Sequence, residues 1–170
     1  MRWDTNSADY IMISAWIAFS RKFRYDRRHC RRVALLSRQL FDQLKPLHGL
    51  SADDRGLLYC AALLHDIGWH YGAKDHHKKA MRLIINSPAL KSSRAEKIKI
   101  GLIARYHRGS LPRLAHPYYP GLSRSDRRAI CWLGAMLRLA DGLDNRRIKK
   151  DLLEKVSKRK ILSLKPLRLK

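Results

Sequence analysis

Negative charge is scarce in this chain: 14 Asp+Glu stand against 37 Lys+Arg, a formal net charge of +23 over 170 residues. A surface of that sign repels cationic ligands and attracts polyanions such as nucleic acid, polyphosphate, nucleotides or anionic lipid. Cysteine is scarce too. Cys30, Cys60 and Cys131 are widely spaced, form no C-x-x-C and are odd in number. That excludes a disulfide scaffold and predicts buried, reduced thiols in a cytoplasmic protein. No apolar run is long enough to span a bilayer. Tyr10–Phe19 is the nearest approach, but it lacks a basic leader and is followed at once by Arg21, Lys22 and Arg24. It reads as a core helix rather than a signal peptide. No glycine-rich phosphate cradle, internal repeat, low-complexity linker or strand-rich stretch is visible. The length suits one domain with its own core.

What is present is helical periodicity. Ala8, Ile11, Met12, Ala15, Trp16 and Phe19 mark a first helix over residues 8–20. Asp26 is placed to cap a second, whose stripe is Val33, Leu36, Leu40 and Leu44 and which Pro46 and Gly49 should end. Ser51-Ala-Asp-Asp54 opens a third as a variant capping box, with Gly68 as its expected stop. His77, Met81, Ile84 and Ile85 share a face of a fourth helix, broken at Ser87-Pro88. Ser93-Arg-Ala-Glu96 is a full capping box for a fifth helix, carrying Ile100, Ile103 and Ala104. Arg108–Leu122, with three prolines and two glycines, is the one long loop. Loops of that length in a compact domain are often functional. Ser123 caps a sixth helix with the stripe Ile130, Leu133, Gly134 and Leu137. The expectation is an all-α bundle of about six to seven helices over residues 1–148. A basic extension covers 149–170, with helix continuing to about Ser157 and a short strand or disorder beyond.

On those faces five polar groups point inward: His29 four residues before Val33, His65-Asp66 ending the third helix, His107 after the fifth, and Asp141 four residues after Leu137. A single inward histidine is usually a hydrogen-bonded core residue, and a single inward aspartate a cap or ion-pair partner. Five together would carry a desolvation cost that few partners could offset. Helical bundles build metal sites from such dispersed imidazoles and carboxylates. His29, His65, Asp66 and Asp141 are therefore expected to hold a divalent ion, with His65 and Asp66 at the centre of any catalysis. With no cysteine expected among the ligands, a structural zinc site is disfavoured; the donor set suits Mn, Fe, Co, Ni, Zn, or Mg with waters. His77 and His107 are candidates for a second ion or for substrate phosphate. Arg105, Arg108, His77 and Lys78 are candidates for binding the substrate anion. His70 and Asp75 are weaker candidates for proton transfer, and His48 and His116 are expected to be structural. A water activated by the ion, beside a basic surface, points to phosphate-ester or phosphoanhydride hydrolysis.

The order His29, His65-Asp66, Asp141 on helices resembles the HD-domain superfamily of metal-dependent phosphohydrolases. Over roughly residues 8–147 the resemblance is closer. Phe41-Asp-Gln-Leu, Ala61-Ala-Leu-Leu-His-Asp-Ile-Gly68, His76-His77-Lys78, Ile103-Ala-Arg-Tyr-His-Arg108 and Leu137-Arg-Leu-Ala-Asp-Gly-Leu-Asp144 are similar to the C-terminal HD-like domain of the exopolyphosphatase/guanosine pentaphosphate phosphatase (Ppx/GppA) family. The resemblance implies a helical fold, a metal held by His29, His65, Asp66 and Asp141, and a phosphate-containing substrate: a nucleotide, a ppGpp-like compound or polyphosphate. In that family polyphosphate is cleaved by actin-like domains with glycine-rich loops, which this chain does not show. Stringent-response ppGpp hydrolases carry Glu-Asp after the His-Asp pair, where this chain has Ile67-Gly-Trp-His-Tyr71. A competing expectation is a non-catalytic module that grips polyphosphate, or nucleic acid, by charge alone. Self-association as a homodimer is compatible with either.

Overall fold

The computed structural model describes residues 8–90 and 92–145, with side chains from Ile13 to Asp144. Among them are six α-helices, no strand, and one short 3-10 helix. In chain order these are α1 (Ala8–Ser20), α2 (Arg27–His48), α3 (Ala52–Leu64), the 3-10 turn Ile67–Tyr71, α4 (His76–Ile85), α5 (Arg94–Arg105) and α6 (Arg124–Asn145). The expected all-α bundle is what forms. The basic extension, and the helix expected to run to Ser157, lie outside the described residues.

Four helices start where the sequence places a cap, Ser123 accepting the Asp126 backbone N–H at 3.0 Å ahead of α6. Ser51 and Ser93 each accept the backbone N–H three residues on, while Asp54 and Glu96 reach back to the capping residue, so both boxes close. Asp26 accepts from the His29 backbone N–H at 2.9 Å. That bond fixes the first turn of α2 and with it the level at which the His29 ring leaves the helix.

Helix α3 is the hub, packing against α1, α2, α5 and α6. Its second half, Leu57 to Leu64, is small and apolar nearly all round, with Cys60, Ala61, Ala62, Leu63 and Leu64 all buried. A helix apolar on every face belongs in the middle of a core. Around it lie Trp16 from α1, Val33 and Phe41 from α2, Ile84 and Ile85 from α4, Ile100 and Ile103 from α5, and Leu133 and Leu137 from α6.

Two helix ends differ from expectation. Pro46 lies inside α2, which runs on to His48 before Gly49 turns left-handed at φ +62° and donates its N–H to Lys45. A proline in the last turn costs one backbone bond without unwinding what precedes it. Helix α3 stops at Leu64 rather than at Gly68. Gly68 sits within the 3-10 turn, and its backbone is pressed so close to α4 that an added Cβ would lie 2.0 Å from the His76 carbonyl oxygen. Glycine is there for close approach, not for a left-handed cap. The thiols differ in part: Cys30 and Cys60 are buried as expected, but Cys131 is exposed.

Candidate metal centre

Asp66 follows the C-terminal end of α3, where the chain leaves the helix, and its carboxylate stands among four imidazoles. Its Oδ2 faces the Nε2 atoms of His29 and His65 at 3.8 and 3.5 Å. Its Oδ1 faces those of His76 and His107 at 3.4 and 3.6 Å. Asp141, one face-turn before the end of α6, adds an oxygen 3.0 Å from His29 and 3.8 Å from His65. Helices α2, α3, α4, α5 and α6 thus each bring a group to one end of the bundle. His29, His65 and Asp66 form one set able to hold a metal ion, and Asp66, His76 and His107 another, with ligand atoms in each set within 4.8 Å of one another.

The histidine tautomers fit such ions. His65 donates Nδ1–H to the Ala62 carbonyl (2.8 Å), His76 to Ala73 (3.0 Å) and His107 to Ala104 (2.6 Å). A carbonyl can only accept, so the proton is on Nδ1 and each Nε2 presents a lone pair. This is how ligating histidines are oriented by their surroundings. The His65 Nε2 is fully buried and has no hydrogen-bond partner, a state that costs free energy unless a cation or proton meets it. The Nε2 atoms of His76 and His107 face each other at 3.3 Å. Two lone pairs at that distance repel unless something positive sits beside both. Ligands about 2.0–2.2 Å from one ion stand roughly 3–3.5 Å apart, close to the spacings around Asp66.

The electrostatics differ between the two sides: burial opposes a charge on His65, yet Cys30 and Asp141 beside it raise its pKa well above the ordinary value, whereas His107 is lowered. Burial opposes the Asp141 charge, but the His29 and His65 rings outweigh it and hold the carboxyl well below its usual range. His29 is raised by Asp141, with burial opposing and Asp144 adding. Burial and the neighbouring His65 drive His107 well below its ordinary value, which keeps its ring neutral and able to ligate. Cys30, which the sequence reading did not place near the site, neighbours His65. Its thiol is pushed up by burial and stays protonated.

A cavity of about 600 Å³ opens onto these residues, lined by Arg24, Tyr25, Asp26, His29, Arg32, Asp66, Trp69, His107, Arg108, Asp141 and Asp144. Arg24, Arg32 and Arg108 supply positive charge at its wall. Trp69 from the 3-10 turn stacks on His76 at 4.9 Å and holds that ring in place.

Of the residues singled out from sequence, His29, His65, Asp66, Asp141 and His107 come together, and Arg108 lines the cavity. His77, Lys78 and Arg105 do not line it. The imidazole in the cluster is that of His76; His77 lies to one side, its ring 5.6 Å from that of His76, and burial and the His76 charge push its pKa down to about 4. Lys78 pairs with Asp75 at 2.9 Å, and Arg105 lies over the Tyr106 ring. His70 accepts from the Arg24 backbone N–H at its Nδ1. His48 is a core residue, donating to the Phe41 carbonyl and accepting from Leu50. His116 meets the Tyr106 hydroxyl. Sequence reasoning missed His76, Asp144, Arg24 and Arg32. Spacing signalled two of them: Arg32 follows His29 by three and Asp144 follows Asp141 by three, each on the same helix face.

A helical bundle that gathers buried imidazoles and carboxylates at one end, under a cavity lined by three arginines and four aspartates, defines the class: a domain with a candidate metal centre. The sequence matches the family model of Ppx/GppA phosphatase domain III over residues 13–169, and the chain belongs to that family. No curated protein matches it. Among the described residues no helix is long and apolar enough to cross a membrane.

Proposed function

We propose that this domain is a metal-dependent phosphohydrolase of the HD type, acting on a phosphate ester or phosphoanhydride. The observation that carries the reading is the Asp66 carboxylate, whose two oxygens each face a separate pair of histidine Nε2 atoms. His29, His65, Asp66 and Asp141 would hold one divalent cation, and Asp66, His76 and His107 a second. Such cations, when bound, supply an activated water near neutral pH and polarise a phosphoryl oxygen.

The chain's own residues do the remaining work. Arg24 and Arg108 line the cavity and would bind and orient the substrate's phosphate oxygens, then offset charge that builds on them in the transition state. The buried rings of His65 and His107, each held by a backbone carbonyl, keep their lone pairs aimed without reorganisation. The net charge of +23 draws polyanionic substrates toward the cavity.

A screen of phosphate release from nucleotides, ppGpp and polyphosphate, with and without chelator, tests the reading. Chelator-sensitive hydrolysis of at least one compound is expected. His76→Ala should lower it by at least about tenfold, an effect of about 1.4 kcal/mol, while His77→Ala leaves it within about threefold. Equal effects of the two substitutions would reject the second centre. The same charge favours a second reading, a non-catalytic module that holds polyphosphate. Its sign is steeply salt-dependent polyanion binding that survives removal of the metal, with no hydrolysis.

A further inference from the structure

Three of the four clustered histidines are oriented by the same device, and the fourth is not. His65, His76 and His107 each give their Nδ1 proton to the carbonyl three residues earlier. The Ala73 and Ala104 carbonyls also accept the backbone N–H of the same histidine, at 3.3 and 3.4 Å, using both of their lone pairs. His29 stands in the first turn of α2. The carbonyl three residues before it, that of Asp26, accepts the Cys30 backbone N–H at 3.1 Å, and the His29 ring takes its orienting partner from elsewhere.

It comes from the last turn of α6. Asp144 Oδ2 lies 2.6 Å from His29 Nδ1. Asp144 is in turn gripped by the Arg32 guanidinium, Nε to Oδ1 at 2.6 Å and NH2 to Oδ2 at 2.8 Å. The two-point fork fixes the plane of the carboxylate as well as its position. Arg32 and His29 are one helical turn apart on α2, so one face of that helix holds both the ring and the arginine that aligns the ring's partner.

We propose that Asp144, clamped by Arg32, is the positioning residue of the first metal centre: it fixes His29 in the Nδ1–H tautomer so that Nε2 is free to ligate beside Asp141. This rests on the metal-binding reading above. It goes beyond that reading in assigning a role to two residues that touch neither ion, and in making the α2–α6 junction part of the site. Orienting carboxylates behind a ligating histidine typically carry 10–100-fold in metal affinity.

The test titrates Mn2+ by calorimetry into chelator-treated wild type, Asp144→Asn, Asp144→Glu and Arg32→Gln, and records imidazole nitrogen NMR spectra of the metal-free proteins. Asp144→Asn should weaken the tighter manganese site by about 10–100-fold. It should also shift the His29 Nδ1 resonance, whose proton lies between the ring and Asp144, with His65 and His107 unchanged. Asp144→Glu should restore part of the affinity, and Arg32→Gln should lose severalfold. Affinity and His29 Nδ1 resonance unchanged in Asp144→Asn would overturn the proposal while leaving the metal centre standing. Wild-type protein that takes up no manganese would overturn both. Should Asp144→Asn not fold, Arg32→Gln decides: a severalfold loss supports the assignment, and wild-type affinity overturns it.

Discussion

Replacing Asp66 with alanine is expected to empty both metal sets at once, lowering bound metal to near zero and phosphate release by at least about a thousandfold, or about 4 kcal/mol of transition-state stabilisation. The reason is geometric. Asp66 is the one residue present in both groups of potential ligands, and its oxygens divide between the His29–His65 side and the His76–His107 side. Removing it also leaves Asp141 as the remaining carboxylate beside the Nε2 atoms of these imidazoles, Asp144 meeting His29 at Nδ1, so a cation entering the site would find far less compensating charge. Asp141→Ala, by contrast, should disable the His29–His65 side and spare the other, and His76→Ala the reverse. Elemental analysis of the three purified variants reads this directly. Asp66→Ala protein carrying as much metal as wild type would remove the shared carboxylate from the account.

The second large effect is expected from packing rather than from charge. Gly68→Ala places a Cβ 2.0 Å from the His76 carbonyl oxygen, 2.8 Å from its carbon and 2.9 Å from the Ala80 nitrogen. All three are backbone atoms, so no side chain can swing aside. Either the 3-10 turn or the start of α4 must move. Overpacking of this kind costs about 3 kcal/mol, at the upper end of the usual range, readable as a lowered midpoint in denaturant unfolding. The same displacement shifts His76, and through its stacking contact Trp69. Metal affinity on that side should therefore fall even under conditions where the protein remains folded. A midpoint and metal affinity equal to wild type would show that the close contact is not maintained in solution.

Much of the helical layout is legible in the chain because caps and apolar stripes are local signals. Asp26, Ser51, Ser93 and Ser123 each mark a start that the structure uses. Convergence of His29, His65, Asp66, His107 and Asp141 is legible for the same reason, since each continues an apolar stripe by three or four residues. What local pattern does not settle is a helix's first residue. Both adjacent histidines satisfy the spacing in α4: His76 lies four before Ala80 and eight before Ile84, while His77 lies four before Met81 and eight before Ile85. The choice is made by how α4 packs, which buries the row His76, Ala80 and Ile84 and leaves His77 half-buried. Gly68 misleads for a related reason. A glycine after an apolar helix ordinarily signals a left-handed stop, and only the position of α4 reveals that it serves close packing. Asp144 and Arg32 were readable as helix-face neighbours of Asp141 and His29, but their mutual contact joins residues 112 positions apart. No local pattern reports such a pairing. In Cys30 the direction of error was opposite: adjacent to His29 in sequence, it nonetheless reaches the site by way of His65.

The most direct measurement is anomalous diffraction from crystals of the full chain equilibrated with Mn2+. Two peaks are predicted, one on each side of the Asp66 carboxylate: the first within bonding distance of His29, His65 and Asp141, the second of His76 and His107. A map with manganese elsewhere on the surface and none against Asp66 would contradict the claim that these helices converge in order to hold metal.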